Sequence, residues 1–330
     1  MTSRALCVFA RGSGRLRLWS LCQGRGEVKY HTCGIGGALQ HFVLMCRLYA
    51  FRSSILSSVH SSLVAAENAL SQQSVRHPDG WGVAYYIGGY PHVIRNDRQA
   101  LEDSLFREVS AVVSTRTLLA HIRQATVGKV GVLNCHPFQH GPWVFGHNGQ
   151  ISGYAIDNDV GQRVRDAVDP RFRRYILGST DSEVCFYIFL SRLARHVEDI
   201  FHEGLRLDVA RAALRETVET IFELVPEKAD KPHRLTFVLT NGNLLLAYRY
   251  DRELFFSTYK SMCPERDECS AYEAYRCEQE VEDGIVKHLI VTSEHVESGT
   301  NVWVELDDGD YVEADRGMNF GRGRLLSSKG

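Results

Sequence analysis

At 330 residues the chain can build one large domain or two ordinary ones, and its 44% hydrophobic and 24% charged residues are ordinary for a globular protein. Lys plus Arg total 38 against 40 for Asp plus Glu, a formal net charge of −2, so no basic surplus argues for a nucleic-acid partner. No apolar run is long enough to span a bilayer, so a soluble, cytoplasmic chain is the expectation.

Residues 1–44 differ in character from the rest of the chain. They carry six basic residues (Arg4, Arg11, Arg15, Arg17, Arg25 and Lys29) against the single acid Glu27, with many glycines and no amphipathic period. Such a leader reads either as a mitochondrial transit peptide, which would make the protein mitochondrial, or as an upstream stretch translated from a mistaken start. Met45 favours the second reading, because it stands directly before a segment that behaves like a true beginning. The expected division is therefore a leader over 1–45, removed or not translated, a domain over 46–315, and a flexible tail over 316–330.

From Cys46 the periodicity becomes clear. Cys46–Phe51 alternates as a strand, and residues 57–72 have the spacing of a short helix with Leu63, Ala66 and Leu70 on one side. Gly80–Ile87 and Pro91–Ile94 flank Gly88-Gly89 as a hairpin, and Leu118–Ile122 and Trp143–His147 read as short strands. Ser182–Ile200 follows a helical period, with Asp181 placed to cap it, and Leu205–Leu224 is a second amphipathic helix. Strand patterns return at His233–Thr240 and Leu244–Tyr250 around Asn241-Gly242, then at Glu253–Ser257 and Lys287–Thr292. A last hairpin is expected from Val302–Leu306 and Tyr311–Glu313 around Asp308-Gly309. Strands, then helices, then strands make an α+β fold and not an alternating βαβ one.

Nine cysteines, scattered without paired spacing in a chain of this size, read as reduced thiols. Cys263, Cys269 and Cys277 cluster in a Glu-rich stretch but lack the C-x2-C knuckle and a fourth ligand, so a solvated loop is expected there and no metal or other cofactor.

Four segments carry chemistry: Met45-Cys46; Ala120–Gly128, which reads A-H-I-R-Q-A-T-V-G; His136-Pro137-Phe138 with Gly146–Gln150; and Ser179–Glu183. A cysteine taken alone is usually a small buried hydrophobe. Cys46 is different if Met45 is removed, because thiol and free α-amine then share one residue. An α-amine titrates at about 7.7–8.0, so it can take the thiol proton and return it to a leaving amine, where a carboxylate would be too acidic. Attack on an amide builds an oxyanion, for which the Asn148 side chain and the Gly149 N–H are candidate donors. Arg123 offers a planar fork for a carboxylate, and Asp181 a counter-charge for an ammonium. Each has a plainer reading: a hairpin turn for Asn148-Gly149, a surface ion pair for Arg123 and a helix cap for Asp181.

The order Cys, H-x-R-x-A-T-x-G, H-P-F, H-N-G-Q and S-T-D-S-E resembles the class II glutamine amidotransferase family, and most of all its stand-alone members. Met45–Leu48, His77–Gly82 (H-P-D-G-W-G) and Ala120–Ala125 carry that likeness, which is dense to about Leu190 and thinner from 230 to 297, where Val291–Glu294 matches a late motif. The resemblance implies a four-layer αββα sandwich of two antiparallel sheets, the Ntn-hydrolase fold. It implies Cys46 as nucleophile with its own α-amine as base, and Asn148 and Gly149 as oxyanion hole. Arg123, Thr126, Asp181, Trp81 and Gly82 would bind substrate, and His136 would order a loop. Gln124 and Val127 depart from the Trp and His that many members carry, which implies an altered pocket shape. While residues 1–45 remain attached, the Cys46 nitrogen is an amide and cannot act as a base. The implied activity is hydrolysis of a γ-glutamyl amide, glutamine or a γ-glutamyl thiol peptide, with a separate synthase or peptidase subunit as partner. The alternative is a non-catalytic or partner-activated glutamine-binding subunit.

Overall fold

The computed structural model describes residues 46–228, 230–261, 285–296 and 301–326. In chain order the strands are β1 (Arg47–Ser58), β2 (Trp81–Ile87), β3 (Tyr90–Asn96), β4 (Ser114–Ile122), β5 (Phe138–His140), β6 (Trp143–Gln150) and β7 (Arg234–Thr240). They continue as β8 (Leu245–Tyr248), β9 (Phe255–Ser261), β10 (Ile285–Thr292), β11 (Val304–Glu305), β12 (Asp310–Ala314) and β13 (Phe320–Arg324). The helices are α1 (Leu70–Gln73), α2 (Ser104–Val112), α3 (Asn158–Asp166), α4 (Pro170–Arg173), α5 (Asp181–His196) and α6 (Leu207–Leu224).

Among the described residues these strands form two antiparallel sheets, β11-β9-β10-β1-β4-β2-β3 and β13-β12-β8-β7-β6-β5. Three apolar clusters define four layers. Leu48, Ala50, Leu119, Val144 and Val238 pack between the sheets. Tyr49, Phe51, Trp81 and Phe106 pack the outer face of the first sheet under α2 and the 59–76 segment. Phe145, Phe186, Leu214 and Phe237 join the second sheet to α5 and α6. Both faces of β1 are covered, so Leu48, Tyr49, Ala50 and Phe51 are all buried and form an unbroken hydrophobic run. The sheets come close at Gly146: a Cβ there would lie 2.7 Å from Leu48 Cδ2.

The far end of the sandwich is tied by Arg52, whose buried guanidinium donates to Thr117 Oγ1, to Gly242 O and to the carbonyls of Asp315 and Arg316. One side chain thus holds both sheets together at the end away from Cys46. Burial lowers its pKa to about 10.

Several expectations need correction. Residues 57–72 are not one helix: β1 runs on to Ser58, a single π-turn covers Ser61–Ala65, and α1 begins only at Leu70. The final segment is not a hairpin, because β11 pairs with β9 in the first sheet while β12 pairs with β8 in the second. Nor is the whole of 316–330 a loose tail: β13 pairs with β12, and Leu325 is buried in the helix-side core. The sequence pattern also missed α2 and α3, short helices capped by Asp103 and Asp157. The cysteine cluster 263–277 lies outside the described residues.

Candidate active site

Cys46 stands immediately before β1, and the antiparallel register of β1 on β4 (Arg47 opposite Ile122) puts it beside the residues that leave β4. Its Sγ lies 3.4 Å from Gln124 O and accepts from Gln124 N at 3.3 Å. Burial pushes the thiol pKa up, against the opposing pull of this backbone contact and the Arg123 and Arg47 charges. A thiol held neutral in this way needs a base before it can attack.

In the facing sheet, β6 turns Val144 and Gly146 to the space between the sheets, and strand alternation puts Asn148 on that same face. Asn148-Gly149 is not a hairpin turn: both residues still pair with β7, opposite Thr236 and Leu235. A side chain cannot replace Gly149, since a Cβ would lie 2.0 Å from Arg234 O. His147, on the opposite face, donates from Nε2 to Arg234 O at 2.8 Å, leaving Nδ1 to accept from Ser182 Oγ at 2.9 Å. This fixes the start of α5 against the end of β6.

That start carries Asp181. The cap is Thr180, whose hydroxyl accepts from Glu183 N, so Asp181 is the first helical residue and not the cap. Freed from capping, its carboxylate accepts from Ile151 N at 2.6 Å and Ser182 N at 3.0 Å. Burial raises its pKa to about 6 despite these bonds. Arg123, 3% exposed, donates to Val127 O and Lys129 O, which leaves other guanidinium N–H groups for a ligand. Among the described residues, Arg123 has no carboxylate partner and Asp181 no cationic one.

One cleft at the mouth of the sandwich is lined by Cys46, Arg123, Gln124, Thr126, Gly149 and Asp181, with His136 and His147 also on its wall. Of the residues expected in the site, Asn148, Trp81 and Gly82 are not among those that line it. Trp81 points to the outer layer, where it packs edge-on against Phe106 and donates to Asp103 Oδ2 at 2.9 Å. Gly82 makes room for the backbone of the H-P-F segment, a Cβ lying 2.1 Å from His136 O. His136 itself is buried with its ring 4.2 Å from that of His121, and burial holds its pKa far below the ordinary histidine value.

Three supports were missed in the sequence. Asp79 accepts from Ala125 N and Gln124 Nε2. Asn134 bridges Lys129 O and Ser179. Glu183 accepts from Leu177 N and Gly178 N. All are polar residues in or beside Gly-rich loops, a pattern that signals turn chemistry without saying which loop is held.

The profile of the family described as "Glutamine amidotransferases class-II" matches residues 45–318. The chain belongs to the class II glutamine amidotransferase family. Among curated relatives, the probable glutamine amidotransferase DUG3 of Saccharomyces cerevisiae is 28% identical over 239 residues, 62% of this chain and 64% of that one. The gamma-glutamyl-hercynylcysteine sulfoxide hydrolase of Mycolicibacterium smegmatis is 29% identical over 178 residues, covering 53% of this chain and 63% of its own. This chain thus spans less than two thirds of the length of these relatives. The fold is shared with a glutamine aminotransferase class-II domain protein from Silicibacter pomeroyi, at a TM-score of 0.54 and 22% identity over 86% of this chain and all of that one. It is shared also with a glutamine phosphoribosylpyrophosphate amidotransferase from B. subtilis, at 0.53 and 13% identity over 86% of this chain and 50% of that one. The fold so shared is the pair of antiparallel sheets flanked by helices described above. Among the described residues no helix is long and apolar enough to cross a membrane, and no group of His, Cys, Asp or Glu is arranged to hold a metal ion.

Proposed function

We propose that this domain hydrolyses a γ-glutamyl amide through a γ-glutamyl thioester on Cys46. The observation that supports this reading is a pair of buried, opposite charges, Arg123 and Asp181, that line one cleft with a thiol and have no ion-pair partner among the described residues. A buried charge without a partner is strongly unfavourable, so such a pair is retained where a ligand supplies the missing counter-charges. A γ-glutamyl group has the required form, with an α-carboxylate for Arg123, an α-ammonium for Asp181, and a reactive carbonyl at the other end.

In this reading the mature chain begins at Cys46. Its α-amine takes the thiol proton, and Sγ bonds to the γ-carbonyl carbon. The resulting oxyanion is met by the Asn148 amide and the Gly149 N–H. The C–N bond then breaks as the α-ammonium returns the proton to the leaving nitrogen, and water cleaves the thioester to give glutamate and the free thiol. Positioned acid–base transfer contributes about 10²–10⁴ and one oxyanion donor about 10²–10³. The names of the relatives support a γ-glutamyl substrate, and among such substrates we favour a thiol peptide over glutamine, with a separate synthase or peptidase subunit acting on the product.

The test offers glutamine and a γ-glutamyl thiol peptide side by side to protein begun at Met45, with Cys46 confirmed as the terminus by intact mass. Glutamate release is expected from both, faster from the peptide, and none from the full 330-residue chain with its leader attached. Silence toward both substrates from a correctly processed terminus would contradict the proposal.

A further inference from the structure

Gln124 lines the cleft, and its backbone touches the thiol. Its orientation is fixed from outside the cleft. Asp79, in the loop before β2, accepts from Gln124 Nε2 at 3.1 Å and from Ala125 N at 2.8 Å through the same Oδ2, while its own N–H donates to Arg123 O at 3.2 Å. A carboxylate only accepts, so the Gln124 amide group facing it must be the NH2 end. That leaves Oε1 as the other end, and among the described residues this buried atom has no hydrogen-bond donor. A buried carbonyl oxygen without a donor costs about 1–3 kcal/mol, which a ligand N–H in the right place would recover.

The place of that N–H is set by the chemistry. The proposed reaction, on which this inference rests, brings the γ-carbonyl carbon to Sγ, so the leaving nitrogen is bonded to the atom Sγ attacks. It lies within reach of a residue whose backbone nitrogen is 3.3 Å from Sγ. We propose that Gln124 Oε1 accepts a hydrogen bond from the N–H of the leaving amide, and that Asp79 is the positioning residue that holds Gln124 to that task. The site would then select amides that keep at least one N–H, which includes primary amides and γ-glutamyl peptides, over γ-glutamyl esters and tertiary amides of equal size. No proton is transferred to Gln124. Its oxygen accepts a hydrogen bond while the nitrogen gains its proton from the α-ammonium.

The experiment compares kcat/KM for a γ-glutamyl anilide and the matching γ-glutamyl phenyl ester, which differ only in N–H against O. The reading is the amide-to-ester ratio in each protein, which removes the greater intrinsic reactivity of the ester. Gln124→Leu is expected to lower that ratio about tenfold relative to the parent, the effect of one hydrogen bond, and Asp79→Asn is expected to lower it in the same direction. Asp79→Asn keeps the proposal testable if the leucine variant does not fold. Equal ratios in parent and variants, with both substrates turned over, would overturn the role of Gln124 while leaving the thioester reading intact. No turnover of either substrate by the processed parent would instead overturn the thioester reading itself.

Discussion

Replacing Asp181 by Asn separates what the carboxylate does for binding from what it does to stability. Its pKa rises from 3.8 to about 6 on burial, a gap that at about 1.36 kcal/mol per pH unit corresponds to about 3 kcal/mol. Linkage sets the sign. A carboxyl whose folded pKa is raised contributes stability that is whole below the ordinary carboxylate pKa and lost as pH rises through about 6. At pH 7.5 the ligand-free protein has therefore given up that amount, and a neutral Asn restores it. Asn has one oxygen where Asp181 uses two, so one of the bonds from Ile151 N and Ser182 N is lost at about 1 kcal/mol. The net expectation is a gain of about 2 kcal/mol, a rise in Tm of roughly 4–8 °C. Binding moves the other way. Removing one partner of a buried ion pair costs about 3–5 kcal/mol, so affinity for glutamine should fall at least about 100-fold. The assay is thermal unfolding at pH 7.5 in a Cys46→Ala background, which prevents turnover, with and without glutamine. Ligand at about 100 times Kd stabilises the parent by about 2.7 kcal/mol, whereas the same concentration should shift the Asn variant by less than about 0.5 kcal/mol. A variant that is less stable than its parent, or that keeps the full ligand shift, would refute the reasoning.

The same geometry sets other outcomes. Arg123→Lys keeps a positive charge but loses the planar fork, so KM should rise about 10–100-fold with a smaller change in kcat, read from steady-state glutamate release. If Asn148 donates to the oxyanion as proposed, Asn148→Ala should lower kcat by about 10²–10³ with KM nearly constant. A dominant KM effect would place Asn148 in ground-state binding instead. The buried histidines predict acid sensitivity, because burial lowers His121 to about 3 and His147 to about 4. Stability held by such groups is present above the ordinary histidine pKa of about 6.5 and is lost as pH falls below it. The urea midpoint should therefore be lower at pH 5 than at pH 7.5, and an unchanged midpoint would show that these rings are not neutral and buried.

Much of the architecture was legible because its strands are amphipathic or wholly apolar and its turns carry glycine. Gly88-Gly89 and Gly242 fall where the hairpins turn, each in the left-handed backbone region that glycine tolerates. What failed was local pattern in the absence of partner information. Val304–Glu305 and Asp310–Ala314 flank Asp308-Gly309 like a hairpin, yet each finds its partner in a different sheet, a long-range choice that periodicity does not encode. Asp181 looked like a cap because Ser, Thr and Asp are interchangeable in that role, and Thr180 one residue earlier takes it. Trp81 belonged to the H-P-D-G-W-G motif, but in a strand successive side chains point to opposite faces, and its own faces the outer layer. Asp79 was legible only as part of the H-P-D-G-W-G motif. Its task, holding the loop that touches the thiol, depends on the register of β2 on β4.

The most direct test of the account is to trap the acyl intermediate. Protein with Cys46 as its mature terminus is mixed with a γ-glutamyl amide, quenched in acid within one turnover, and mapped by peptide mass spectrometry. The account predicts one γ-glutamyl group on Cys46 Sγ, absent from Cys46→Ala and from protein that retains the upstream residues. Turnover without that adduct, or an adduct on another residue, would contradict it.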